Sequence, residues 1–317
     1  GKYIYTISTL TPQSLISGLK TRSSKPIDIM EQLDGKLLVI RDFSTILQKP
    51  IQVRDELFGR LRDAYDGCLE AAYGIGGGKR IRKATFGILA AVTPMIDQYT
   101  SVHTLLGERF LRIRTHYNRD EAVKAALRQS GREKEMRAEI SEIFRIALDF
   151  YALKYKGAPP LTEGTSEKFS ALADIVSIAR TPILRNYRND IVQMPEPEVP
   201  TRIVKQLKRL AQSLDILGNY TYEHIVRIAE DTTPRVRLSI LQALYKEDAT
   251  TNDLMKGLTI PYHLTRAVCE DLWTLGMVNR ELDPSRGEDD PGRKPYYYSL
   301  KTPTRSKMKL SHFGNER

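Results

Sequence analysis

The stretch "AAYGIGGGKRIRKATFGILAAVTP", residues 71–94, sets a glycine run directly before Lys79, Arg80, Arg82 and Lys83. Glycine followed by lysine suggests a phosphate cradle, in which backbone N–H groups and an ammonium wrap a phosphate. The spacing excludes it. The pattern G-x-x-x-x-G-K-[ST] needs a glycine where Tyr73 stands and a hydroxyl where Arg80 stands. The order is also reversed, because the glycines follow a helix-like run and precede the apolar "FGILAAV", whereas a cradle follows a strand and opens a helix. Four other side chains fall in a suggestive order. Asp42 ends the apolar run in "LLVIRDF", Thr93 ends "LAAVTP", Arg109 follows Gly-Glu in "LLGERFLRIR", and Arg202 opens "PTRIVKQLKRLA".

The elements that carry them are legible. "YIYTIST" reads as a strand and "TPQSLISGL" as a turn into a short helix. "GKLLVIRDF" (35–43) has the four-residue apolar run of a strand buried on both faces, and "FGILAAV" (86–92) reads as a second one. Between them, Val53, Leu57, Phe58, Leu61 and Tyr65 recur at helical spacing, with Gly67 as the stop signal. "RFLRIRTHY" (109–117) alternates like a more exposed strand. Buried strands separated by helices predict an α/β unit, a mostly parallel sheet with helices on its faces.

From Asn118 the pattern is helical almost throughout. "NRDEAVKAALRQS" and "REKEMRAEISEIFRIALDFYALKY" read as charged amphipathic helices, and Pro159-Pro160 and Gly164 break the chain before "SEKFSALADIVSIARTPIL". The linker "MPEPEVP" (194–200) cannot be helical inside. Beyond it, Ile203, Leu207, Leu210, Leu214 and Leu217 form one apolar stripe. A separate unit starts near Asp231 with "RVRLSILQALY", then "TTNDLMKGL" with Thr251 as N-cap. It continues through "PYHLTRAVCEDLWTLGM", with Leu264, Val268, Leu272 and Leu275 inward, to a hairpin around "DPSRGEDDPGRKP". Three short helices and a hairpin predict the winged variant of helix-turn-helix. The closing "KTPTRSKMKLSHFGNER" is expected to be a mobile basic tail.

Composition narrows the classes. A chain of 317 residues is ample for two or three cored domains, and no run of about eighteen apolar residues predicts a membrane span. Two cysteines, Cys68 and Cys269, form no metal or redox motif, which suits a reducing cytoplasm. With 49 basic against 39 acidic residues, the net charge of +10 favours a polyanionic partner.

The ordered set "LLVIRDF", "LAAVTP", "LLGERFLRIR" and "PTRIVKQLKRLA" resembles the AAA+ ATPases, most closely the minichromosome-maintenance helicase branch, including types carried by phages and mobile elements. The resemblance covers roughly residues 1–230. It implies an ATPase core over 1–117 and a helical lid over 118–230, ahead of the winged helix over 231–300, which that branch also carries, and the basic tail over 301–317. It also implies ATP and Mg²⁺ as cofactors. Asp42 would hold the metal or orient the attacking water. The family normally carries Asp-Glu there and this chain has Arg41-Asp42, so either Glu56 or Asp55 supplies the base or Asp42 itself takes the Glu position. Thr93 would be the first sensor, Arg109 the finger offered to a neighbour's nucleotide, and Arg202 the second sensor, with Arg180 and Arg185 as competitors.

In that branch a hairpin projects into a central channel between the first and second of these features, which is where the glycine run lies. Glycines permit the tight reversal, and Lys79, Arg80, Arg82 and Lys83 would grip DNA phosphates. Arg266, with Arg286, Arg293 and Lys294 in the wing, would contact phosphates from the winged helix. The expectation is a ring-forming, hexameric DNA helicase or translocase. The alternatives are a replication initiator or loader and a nucleotide-sensing regulator. The family's phosphate loop is expected ahead of Gly1, since no such motif occurs in the chain.

Overall fold

The computed structural model describes residues 2–15, 29–72, 79–98, 109–154, 163–193, 196–218, 220–282 and 296–314. They fall into two compact units, the first formed by Gly1–Phe110 with Thr181–Pro195, the second by Leu111–Arg180 with Glu196–Arg317. The chain is α/β.

The first unit is built on a parallel sheet of β1 (Ile4–Ile7), β2 (Leu37–Ile40) and β5 (Gly87–Ala90), with β2 in the middle. Parallel strands cannot be joined by a tight turn, so each connection is a crossover. The first contains α1 (Ile29–Leu33). The second contains α2 (Ser44–Leu47), α3 (Ile51–Tyr65) and an antiparallel hairpin of β3 (Cys68–Ala72) and β4 (Lys79–Lys83). Leu38 and Ile40 are fully buried with Leu57, Phe58 and Leu61 of α3, whose apolar residues share one face by helical spacing. Helix α3 stops where the sequence says it should, with Gly67 at a φ of +85° and its N–H donating to Ala64 O at 3.0 Å. A short hairpin of β6 (Leu184–Arg185) and β7 (Ile191–Gln193) belongs to this unit too. It is turned by Asn186, whose side chain accepts from the N–H groups of Arg188 and Asp190 at 2.9 Å.

Two expectations about this sheet need correction. Neither apolar strand is buried on both faces. In β2 fully buried residues alternate with half-buried ones, and in β5 Leu89 is 55% exposed. Periodicity reports a strand's apolar content but not whether a second layer covers it.

The second unit holds α4 (Arg119–Gln129), α5 (Glu133–Lys154), α6 (Glu163–Arg180), α7 (Thr201–Ile216) and α8 (Tyr222–Thr232). These are followed by α9 (Arg235–Lys246), β8 (Ala249–Thr250), α10 (Thr251–Leu258) and α11 (Tyr262–Thr274). The unit closes with β9 (Val278–Leu282), β10 (Tyr296–Leu300) and α12 (Thr302–Ser311). Strands β8, β10 and β9 form an antiparallel sheet in that order. The expected stripe on α7 is buried through Ile203 and Leu207, with Leu210 and Leu214 at its margin and Leu217 exposed. Of the residues expected inward on α11, Val268 and Leu272 are buried, Leu264 is exposed, and Thr265 and Cys269 take the remaining inner places.

Several sequence boundaries do not hold in this unit. Across the boundary expected near Asp231, Phe169, Leu172 and Val176 of α6 share one continuous core with Leu241, Leu272 and Tyr298. Residues 110–118 form no strand. Their alternation is that of an extended strap whose backbone is taken by side chains, with Arg112 N–H donating to Thr232 Oγ1 and Arg114 N–H to Asp231 Oδ2, both at 2.9 Å. Helix α10 is capped by Thr250 rather than Thr251, in a reciprocal box with Asp253.

The closing basic segment is also no mobile tail. Residues 302–311 form α12, whose Met308 and the following Phe313 are fully buried. Two of its three cations are paired: Lys307 with Asp174, and Arg305 with Asp248 at 3.3 Å and with Tyr245 O at 2.9 Å. Two apolar anchors among many charges were too few to read as a core helix.

Candidate functional site

The carboxyl ends of β2 and β5 bring Asp42 and Thr93 together. The ladder runs one step past both strands, since Ala91 N–H donates to Ile40 O at 3.0 Å and Phe43 N–H to Ala91 O at 2.7 Å. The two chains therefore leave the sheet side by side. Ser44 links them. Its N–H donates to Asp42 Oδ1 at 3.0 Å, its Oγ accepts from Thr93 N–H at 3.2 Å, and its Oγ lies 3.2 Å from Thr93 Oγ1. Asp42 thus closes an Asx turn that opens α2, and Thr45 Oγ1 donates to Asp42 O at 2.8 Å. Asp42 and Thr93 are exposed while Ser44 is buried.

Ser44 is a residue the sequence reading missed. Its signal was present in "DFST", an Asp followed two places on by Ser at a helix start, where such side chains bind backbone N–H groups.

One carboxylate and two hydroxyls at parallel strand ends are oxygen ligands of the kind a hydrated Mg²⁺ accepts when phosphates complete its shell. These residues fit one side of such an ion. Among the described residues no cluster of three His, Cys, Asp or Glu side chains could hold a metal by itself. The alternative bases are engaged locally: Glu56 accepts from Arg60 at 2.7 Å, and Asp55 lies 3.7 Å from Arg54 Nε.

The two arginines are each engaged locally. Arg109 belongs to the same unit as Asp42, but its side chain is only 7% exposed and Nη2 donates to Asp66 Oδ2 at 3.0 Å, with the Tyr65 ring alongside. The guanidinium expected to reach a neighbouring subunit is buried in an ion pair within its own chain. Arg202 lies in the first turn of α7, in the second unit, 3.5 Å from Glu198. Of its competitors, Arg180 is buried at the end of α6, and Arg185 donates to Asn189 O at 2.8 Å.

The basic stretch after the glycines forms β4, paired in register from Ala72↔Lys79 to Cys68↔Lys83. The hairpin read from the glycines is therefore present, although its tip at 73–78 lies outside the described residues, as do the side chains of Lys79 and Arg80. Leu69 is buried opposite Arg82, whose guanidinium approaches Glu31 at 3.9 Å, whereas Ile81 and Lys83 are exposed. One face of the hairpin therefore packs and the other is open. On α11, Arg266 is exposed beside Tyr262 and His263. Arg286, Arg293 and Lys294 lie outside the described residues. No helix among the described residues is long and apolar enough to cross a membrane.

A scan against protein-family models finds no match to the chain, and no curated protein matches it. The class that the structure defines is an α/β protein carrying a small parallel three-stranded sheet.

Proposed function

We propose that this chain is part of an ATP-driven DNA motor, a ring-forming helicase or translocase of the AAA+ type, with residues 231–300 as its winged helix. One observation carries the reading. The acid and the hydroxyl expected in such a site stand on adjacent parallel strand ends, where ligands bind in open α/β sheets, and the basic hairpin is spliced between them in the chain. Three helices with a β8–β10–β9 antiparallel sheet are the elements of a winged helix.

A nucleotide-bound Mg²⁺ would supply charge neutralisation at the phosphates. Asp42 would contribute one carboxylate oxygen to that ion or hold the attacking water, its other oxygen being kept in place by Ser44 N–H. Thr93 would direct its hydroxyl at the same water, with its backbone fixed by Ser44 Oγ. Lys83 and its neighbours on β4 would hold the DNA backbone through sequence-blind, salt-sensitive contacts. Turnover is conditional on a phosphate loop, which these 317 residues do not contain.

ATP hydrolysis by the full-length protein, with and without single-stranded DNA, tests this reading. DNA-stimulated turnover lost in Asp42→Ala is expected; nucleotide-independent DNA binding with no turnover would sink the motor. In Lys79→Ala/Arg80→Ala, DNA stimulation is expected to fall while nucleotide binding survives. The second reading is a nucleotide-sensing regulator or a replication initiator. It is favoured by the pairing of the buried Arg109 with Asp66, which turns that guanidinium toward its own chain.

A further inference from the structure

The carboxyl end of α11 carries a stack of planar groups. The guanidinium of Arg280 on β9 lies 3.7 Å from the centre of the Trp273 ring and 4.6 Å from that of Tyr296 on β10, so it is held by two aromatic planes. Glu270 approaches the same guanidinium at 3.9 Å. Arg280 and Tyr296 meet because they stand diagonally across the β9–β10 ladder, in which Arg280 pairs with Tyr298. Arg280 covers one face of Trp273, yet Trp273 is still 40% exposed, which leaves the opposite face of the indole to solvent. A rigid aromatic plane, fixed from behind by a cation, is therefore presented outward.

Trp273 does not stand alone on its side of the helix. Tyr262 and Arg266, eleven and seven residues earlier, each fall within about 20° of it at 3.6 residues per turn. Tyr262 is 45% exposed and Arg266 is exposed, so the three form one open stripe about 16 Å long. Both acids of α11 are taken up by arginines of the same unit, Glu270 by Arg280 and Asp271 by Arg237 at 2.8 Å. Arg266 therefore sets the sign of the stripe.

We propose that the stripe of Tyr262, Arg266 and Trp273 binds unpaired DNA, with a nucleobase stacked on the open face of Trp273. Single strands are gripped by aromatic planes that take successive bases and by cations that follow the phosphates. This stripe alternates aromatic, cation and aromatic, on a chain whose net charge is +10. Duplex DNA keeps its bases stacked inside and offers an indole no face. An acidic peptide would satisfy Arg266 and leave two aromatic planes unmatched, and an apolar one would leave the cation unmatched. A strand of bases and phosphates matches both in one ligand. The inference rests on the proposed reading for its partner, DNA, and adds which form of DNA the winged helix takes.

Trp273 is the single tryptophan of the chain, so its fluorescence reports this site alone. The 317-residue chain is titrated, without ATP, against oligothymidylate of about 15 nucleotides, a duplex of equal length, and inorganic polyphosphate, which carries the charge without bases. Quenching is expected with oligothymidylate and with neither of the others. Trp273→Ala should weaken binding of a dye-labelled oligothymidylate about five- to hundredfold, and Trp273→Phe should recover most of that loss. Arg266→Ala should lower the salt slope of binding by about 0.7. Both positions are exposed, so circular dichroism should match the wild type. Emission that stays constant while oligothymidylate binds, equal quenching by duplex or polyphosphate, or a Trp273→Ala chain that binds like wild type would each overturn the proposal. A chain that binds no nucleic acid would overturn it in favour of a protein on this face. DNA-stimulated ATP turnover beside a silent Trp273 would leave the motor standing without this site, and quenching without turnover would leave the site standing without the motor.

Discussion

Arg237→Met should be the most informative single change in the second unit. Arg237 is buried on α9, where Nη1 donates to Ala179 O at 2.9 Å and Nη2 to Asp271 Oδ2 at 2.8 Å. The Ala179 carbonyl lies in the last turn of α6, so it has no partner within its own helix. One guanidinium therefore caps α6 and ties it to α11, in a position where a cation also meets the favourable end of the helix dipole. Methionine keeps most of the volume and removes both donors. A broken buried pair costs about 3–5 kcal/mol, and the 14% exposure of Asp271 lets water recover part of that, which leaves about 3 kcal/mol. For a unit of about 190 residues, this corresponds to a Tm lower by roughly 6–12 °C.

Thermal and urea unfolding followed by circular dichroism measure the effect, with an unchanged m-value showing that the comparison stays two-state. The double variant Arg237→Met/Asp271→Leu should recover more than half of the loss, because the orphaned carboxylate is gone. A single variant within about 2 °C of wild type, or a double variant no better than the summed singles, would refute the assignment of stability to this pair.

Thr250→Ala should lower stability by about 1 kcal/mol in the same melts, because it removes the side-chain half of the box that caps α10, whereas Thr251→Ala tests a buried residue without a cap role. Burial pushes the Cys269 thiol up to about 12 from an ordinary 9.0. The folded state therefore holds a proton that the unfolded chain releases, and stability present below pH 9 is lost as pH rises toward 12, by up to about 1.4 kcal/mol per pH unit. Cys269→Ala should flatten that slope in urea melts taken at about pH 8 and about pH 11, and at the lower pH a thiol reagent should label Cys68 well before Cys269. Removing residues 302–317 should unfold much of the second unit, seen as lost helical signal, because Met308 and Phe313 leave the core; an unchanged melt would restore the mobile-tail reading. Gly314→Ala should destabilise measurably, since Gly314 has a φ of +80° and an added Cβ would meet Met308 Cε at 2.8 Å.

The sequence by itself determined the local alphabet of this protein. Helical spacing with a glycine stop places α3, an apolar run ending in an acid places β2, and the glycines between Cys68 and Lys83 place a reversal. These signals are local: backbone freedom at Gly67 and side-chain period do not depend on distant residues. Only the tertiary structure decided what the elements meet. Leu89 lies in an apolar strand and is still exposed, because cover is supplied by another layer. Residues 111–114 alternate like a strand, yet the N–H groups of Arg112 and Arg114 go to Thr232 and Asp231, more than a hundred residues away. Met308 and Phe313 hold a helix that composition alone would call a tail.

The candidate site divides along the same line. Asp42 and Thr93 were legible because strand ends can be found from apolar runs. The bond from Thr93 N–H to Ser44 and the Asp66 partner of Arg109 were not, because a hydrogen bond or ion pair between distant positions leaves no period in the chain. Sequence gives each residue its chemistry, and the partner that engages or releases that chemistry is set by the fold.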